Sequence, residues 1–182
     1  MTTENFSFQE GDALLIVDVQ NDFLPGGALA IENGDEIIPV LNQVIEQAVS
    51  AGIPVYASRD WHPKGHVSFQ EHGGQWPPHC LQDTEGAAFS PSLALPKDAV
   101  IITKGVRFDQ DQNSAFDQTG FAGHLKNEGI RRLVIGGLAE DVCVLATVLD
   151  ARDHGFEVLL MEEGTRPVTV EGGRKALTDM IK

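Results

Sequence analysis

The chain has 182 residues, 42% of them hydrophobic, and a formal charge of -14 at pH 7 from 27 acidic and 13 basic side chains. That length supports one domain, over residues 1–182, with a single core of ordinary size. The acidic balance argues against nucleic acid or an anionic membrane as partner, because phosphate binding needs clustered lysine and arginine, and it leaves a small neutral substrate open.

Neither a basic-plus-apolar leader nor a long apolar span is seen, and Cys80 and Cys143 are the only cysteines. A cytoplasmic protein without a disulfide is therefore expected, as a monomer or small homo-oligomer.

Ala13 to Val17 is an unbroken apolar run ending at Asp18, the pattern of a strand buried on both faces. Helical spacing follows at Ile37, Ile38, Leu41, Val44, Ile45, Ala48 and Val49, with Asn33 or Asp35 as cap and Gly52 as stop. Ile53 to Ser58 predicts the second strand. From about residue 59 to 98, prolines and glycines break any periodicity, and so long an irregular insertion in a compact domain is functional or disordered. Its histidines lie close to Trp61 and Trp76, which favours function.

Ala99 to Thr103, Leu133 to Ile135 and Phe156 to Met161 are further apolar runs. Helices are expected near Gly120 to Glu128, over Glu140 to His154 and over Glu171 to Ile181. Alternating strand and helix predicts an α/β fold: a doubly wound, mainly parallel sheet with helices on both faces and right-handed crossovers. Ligands of such sheets bind outside the carboxyl ends of the strands. Asp18, Asp60, Lys104 and Cys143 each fall at or just past one of those ends, so one pocket is expected to hold all four.

Gly136-Gly137-Leu138-Ala139-Glu140-Asp141-Val142-Cys143 leads from a strand into a helix and puts Cys143 in its first turn. Unpaired N–H groups and the helix dipole favour a thiolate there. A free cysteine is more often a small core residue. A nucleophilic one needs a base and a positive group, types that Asp18 and Lys104 supply. Singly, Asp18 reads as a loop-capping carboxylate and Lys104 as a solvated lysine; their shared position after strands favours a joint role.

Asp60 and His62 point the same way in an extended chain, and with His79 they form one carboxylate and two imidazoles. That set suits zinc, iron or manganese with positions left for water or substrate, whereas histidines bonded only to loop backbone are the alternative. His66 and Glu71 are candidates for an extra ligand or for a place behind the ligands. Phe23 and Trp76 suit stacking on a flat ring, with core packing as the alternative. Cys80, beside His79, reads as structural, and no G-x-G-x-x-G follows the first strand, which removes the usual dinucleotide signature.

Asp18-Val19-Gln20-Asn21-Asp22-Phe23, Asp60-Trp61-His62-Pro63 with His66-x-Ser68-Phe69, Trp76-Pro77-Pro78-His79-Cys80, Thr103-Lys104-Gly105 and Gly137 to Val144 together resemble the nicotinamidases of the isochorismatase-like cysteine hydrolases. The resemblance implies a three-layer α/β/α fold and hydrolysis of nicotinamide to nicotinate and ammonia, with pyrazinamide as a second substrate and a place in NAD salvage. It implies Asp18, Lys104 and Cys143 as catalytic triad, and Asp60, His62 and His79 as ligands of one divalent metal, zinc above iron or manganese. It further implies a cis peptide between Leu138 and Ala139, an oxyanion hole from the N–H groups of Ala139 and Cys143, and substrate contacts from Phe23, Trp76 and Leu138. A related amidohydrolase acting on an N-carbamoyl compound or ureidoacrylate is the alternative. Glu140 and Asn113 depart from the pattern, where Thr and Tyr are common, and both bear on substrate range.

Overall fold

A computed structural model describes residues 6–181, so the ends of the domain expected over 1–182 lie outside the described residues. Five strands, β1 (Asp12–Val17), β2 (Val55–Asp60), β3 (Val100–Lys104), β4 (Arg132–Leu138) and β5 (Glu157–Arg166), pair in parallel in the order β3-β2-β1-β4-β5. The helices are α1 (Ile37–Ser50), α2 (Phe121–Asn127), α3 (Leu145–Asp153) and α4 (Val170–Ile181). No described helix is long and apolar enough to cross a membrane.

The central strand explains its own apolar run. Leu14 and Ile16 enter one core with Ile37, Leu41, Val44, Ile45 and Ala48 of α1. Ala13, Leu15 and Val17 enter the other, with Phe121 and Leu125 of α2, Val148 and Ala151 of α3, and Ala176 and Met180 of α4. Alternate residues of β1 thus serve opposite faces, so a continuous apolar run is what two covering layers demand. Each buried Leu or Ile side chain contributes about 1.5–3 kcal/mol. The doubly wound α/β/α architecture is the expected one.

Several boundaries differ from expectation for physical reasons. β4 runs on through Gly136 and Gly137 to Leu138, glycines that carry no apolar signal. Gly137 sits at φ +130°, where a Cβ would stand 2.0 Å from the Val17 carbonyl oxygen, so β1 and β4 approach too closely for any side chain. Neither Asn33 nor Asp35 caps α1 with its side chain; a 3-10 turn over Gly34–Glu36 feeds the helix directly. Pro39 is tolerated because the first-turn N–H groups have no partner within the helix. The segment expected to be an α-helix from Glu140 opens as a π-helical turn, Glu140–Val144, before α3 continues.

The chain winds outward from β1 to β2 and β3, then crosses back to place β4 on the other side of β1. That reversal opens a crevice at the carboxyl ends of β1 and β4, where the strand order switches.

Candidate active site and metal centre

Asp60 and Lys104 end β2 and β3 and are register partners, which sets their side chains side by side. Lys104 is fully buried, with Nζ 2.6 Å from Asp60 Oδ1, 2.7 Å from Asp18 Oδ2 and 3.5 Å from Cys143 Sγ. Asp18 follows β1 in a left-handed conformation, φ +50°, a strained geometry of the kind that gathers at functional sites. Ser58 Oγ donates to Asp18 Oδ1 at 2.6 Å, while Oδ2 lies in ion-pair contact with Lys104. That buried oxygen is the acceptor left open beside the Cys143 thiol. The structure thus gathers Asp18, Asp60, Lys104 and Cys143 at one point.

Cys143 reaches that point from the π-helical turn. Val142 and Val144 N–H both donate to the Ala139 carbonyl, so the turn is wider by one residue than an α-helix. The Leu138–Ala139 peptide leading into it is cis, as the resemblance implies.

The shared lysine affects its neighbours unequally. Burial pushes the Asp18 carboxyl above the usual carboxylate range, with Lys104 pulling it back only in part. Burial works the same way on Asp60, but there Lys104 and His62 outweigh it and hold the carboxyl well below that range. Of the two carboxylates, Asp18 is the more basic. Burial also raises the Cys143 thiol well above its ordinary value, against the pull of Lys104 and with the push of both carboxylates. Burial thus opposes the thiolate that the position of Cys143 in the sequence favours. Burial lowers Lys104, yet the two carboxylates overcome this and keep it an ammonium.

Beside the triad, Asp60, His62 and His79 each bring one ligand atom within 4.8 Å of the others. His62 Nδ1 donates to the Gly105 carbonyl at 2.9 Å and His79 Nδ1 to the Pro77 carbonyl at 2.8 Å. A carbonyl can only accept, so both rings carry the proton on Nδ1 and keep Nε2 for a cation. His62 Nε2 lies 3.5 Å from Asp60 Oδ2, close to the roughly 3.4 Å between ligand atoms of a tetrahedral ion held at about 2.1 Å. Two lone-pair atoms facing each other in a buried site fit a divalent metal ion. Gly105 permits this, since a Cβ there would stand 2.5 Å from His62 Cε1. Burial lowers His79, which favours the neutral ring a metal needs, whereas against burial Asp60 and the Gly105 carbonyl raise His62.

A cleft opens over these groups. Phe23 and Trp76 line it together with Cys143, the three metal-competent residues and Ala139. Lys104 and Asp18 lie beneath it, out of reach of solvent. Leu29, Ala30, Ile31, Val142 and Val168 give it an apolar rim, and Asp111 and Asn113 add polar groups.

Three of the sequence expectations need correction. Leu138 does not line the cleft: as the end of β4 it is fully buried in the α1-side core. Glu71 is exposed on a short 3-10 turn and lies outside the ligand cluster, because that turn carries it out to solvent. Glu140 turns away from the cleft to accept a hydrogen bond from Thr165 at 2.5 Å. His66 stacks on His62 with ring centroids 4.2 Å apart, and its nitrogens face Ser68 and the Gln110 carbonyl, so it supports the ligands from behind.

Gln20 is a residue whose role the sequence did not reveal. Its side chain is fully buried, donates to the Asp60 and Ala87 carbonyls and accepts from the Asp60 N–H, all at 2.8 Å, and so clamps the backbone of Asp60. Only its place in the Asp18–Phe23 motif hinted at this.

A family model for the isochorismatase domain matches residues 12–182. The nicotinamidase of Escherichia coli (strain K12) is 40% identical over 180 residues, covering 87% of this chain and 84% of its own. The crystal structure of the pyrazinamidase of Pyrococcus horikoshii in complex with zinc matches with a TM-score of 0.91 at 45% identity, covering 94% of each chain. PnC1 from L. infantum in complex with nicotinate matches with a TM-score of 0.89 at 38% identity, over 97% of this chain and 91% of that one.

Proposed function

The chain belongs to the isochorismatase family, and from that premise we propose that it is a nicotinamidase, a metal-dependent cysteine amidohydrolase that converts nicotinamide to nicotinate and ammonia and also accepts pyrazinamide. The observation that carries this reading is the buried Lys104 ammonium in contact with Asp18, Asp60 and Cys143 at the floor of a cleft flanked by a three-ligand metal centre.

In this reading Asp18 takes the thiol proton of Cys143, and Lys104 offsets the charge as the thiolate attacks the carboxamide carbon and a C–S bond forms. The N–H groups of Ala139 and Cys143 hold the oxyanion, roughly 3 kcal/mol for each such donor. Asp18 returns its proton to the amide nitrogen, the C–N bond breaks and ammonia leaves a thioester. Asp18 then activates water, which releases nicotinate and restores the thiol.

Asp60, His62 and His79 would hold the ion, zinc ahead of iron or manganese. When bound, it supplies a Lewis acid for the pyridine nitrogen of the substrate. Phe23 and Trp76 flank the ring, so that binding sets the carboxamide over the sulfur. A role in NAD salvage in the cytoplasm follows from the same reading. The metal-competent cluster favours it over the alternative of an N-carbamoyl or ureidoacrylate amidohydrolase.

The test is ammonia release from nicotinamide, pyrazinamide and a carbamoyl amide by the wild type and Cys143→Ala. Turnover of the two ring amides, lost by at least about 10³-fold in the variant, is expected. Silence on nicotinamide with turnover of the carbamoyl compound would reverse the assignment.

A further inference from the structure

We infer that Asn113 selects the substrate's amide nitrogen: its side-chain oxygen accepts a hydrogen bond from the carboxamide N–H and so turns the carbonyl towards the backbone donors. The inference rests on the amidohydrolase reading. Asn113 lines the cleft, and its Oδ1 lies 3.9 Å from Cys143 Sγ, the sole hydrogen-bond contact of that side chain among the described residues. A carbon under attack stands about 3–3.5 Å from the sulfur, and its nitrogen about 1.3 Å beyond. A carboxamide seated with its nitrogen on the Asn113 side of the sulfur brings that nitrogen within reach of Oδ1.

The catalytic and metal-competent groups at the sulfur cannot serve this end. Lys104 is a donor only, the Asp18 oxygen is committed to the thiol proton, and Asp60, His62 and His79 belong to the metal centre. The asparagine is also held firmly. Ala115 N–H donates to Thr147 Oγ1 of α3 at 3.1 Å, Gln112 Nε2 donates to the Asp117 carbonyl at 2.8 Å, and Gln112 and Ser114 on either side are buried. The loop thus presents the Asn113 side chain from a fixed backbone, which favours orienting a substrate over merely touching it. The contact tightens as the nitrogen gains a proton and becomes a stronger donor, so it acts on turnover as well as on binding.

The test compares wild type, Asn113→Ala and the near-isosteric Asn113→Leu in two assays. One is nicotinamide turnover; the other is inhibition by nicotinaldehyde, which has the same ring and carbonyl but no N–H. Both variants are expected to lose about tenfold in kcat/KM for nicotinamide while the inhibition constant for the aldehyde stays within about twofold of wild type. Equal losses in both assays would show a merely structural role, and undiminished turnover would show no role; either overturns the inference. A wild type inactive on nicotinamide would overturn the functional reading and this inference together, whereas the variant outcomes bear on Asn113 alone.

Discussion

Lys104→Met keeps the length and apolar stem of the side chain while deleting its charge, and so isolates what the ammonium does. In the wild type that charge is fully buried, 2.7 Å from Asp18 and 2.6 Å from Asp60. Without it, two buried carboxylates share a site with no counter-charge, and breaking a buried ion pair in this way costs roughly 3–5 kcal/mol. A domain of this size shifts by about 2–4 °C per kcal/mol, so a fall in Tm of roughly 6–20 °C is expected. Asp18 already lies above the usual carboxylate range through burial and climbs further once Lys104 is gone. The folded variant then binds more protons than the unfolded chain between the unfolded and folded pKa of Asp18, so its stability falls as pH rises through that window. The deficit relative to wild type should be greatest at alkaline pH and shrink on acidification, as Asp18 takes up its proton. Circular dichroism melts of both proteins in the presence of chelator measure this. A deficit under about 2 °C at alkaline pH, or one that widens on acidification, would refute the reasoning.

Removing metal with a chelator should raise KM for nicotinamide at least as much as it lowers kcat, since the ion's part is to orient the ring; steady-state kinetics that leave both unchanged would contradict the assignment. Iodoacetamide, followed by mass spectrometry on the native protein, should modify Cys143 and spare Cys80. Burial and nearby carboxylates raise both thiols, but Cys143 lines the cleft with Asp18 beside it to take its proton, whereas Cys80 is fully buried and does not line it. Gly137→Ala should cost roughly 3 kcal/mol or more, read as a lower denaturant midpoint, because its Cβ would collide with the Val17 carbonyl; a cost below about 1 kcal/mol would show that β1 and β4 can separate freely.

Much of the site was legible because parallel strands gather their carboxyl ends. Asp18, Asp60, Lys104 and Cys143 each follow an apolar run, and the rule that ligands bind at such ends brings them together without coordinates. What escaped notice lacks a periodic signature. A π-helical turn arises from one extra residue within a helical pattern, so the sequence from Glu140 reads as ordinary helix. Leu138 sits in a motif at the site, yet strand alternation turns its side chain into the core. Glu140 lies three residues from Cys143 but points at Thr165, since the widened turn sends the two side chains in different directions. The clamp from Gln20 to Asp60 spans 40 residues and leaves no local trace.

Of the four segments that converge on the sulfur, one is less secure than the rest. β3 forms the border of the sheet, bonded along one flank to β2 alone, with Val100 and Ile101 exposed by 45% and 40%. Lys104 hangs from its far tip. Peeling of that border would withdraw the ammonium while the inner strands stay zipped, so heat should silence turnover before it melts the protein, and the working ceiling of the molecule is set at its seam rather than at its centre.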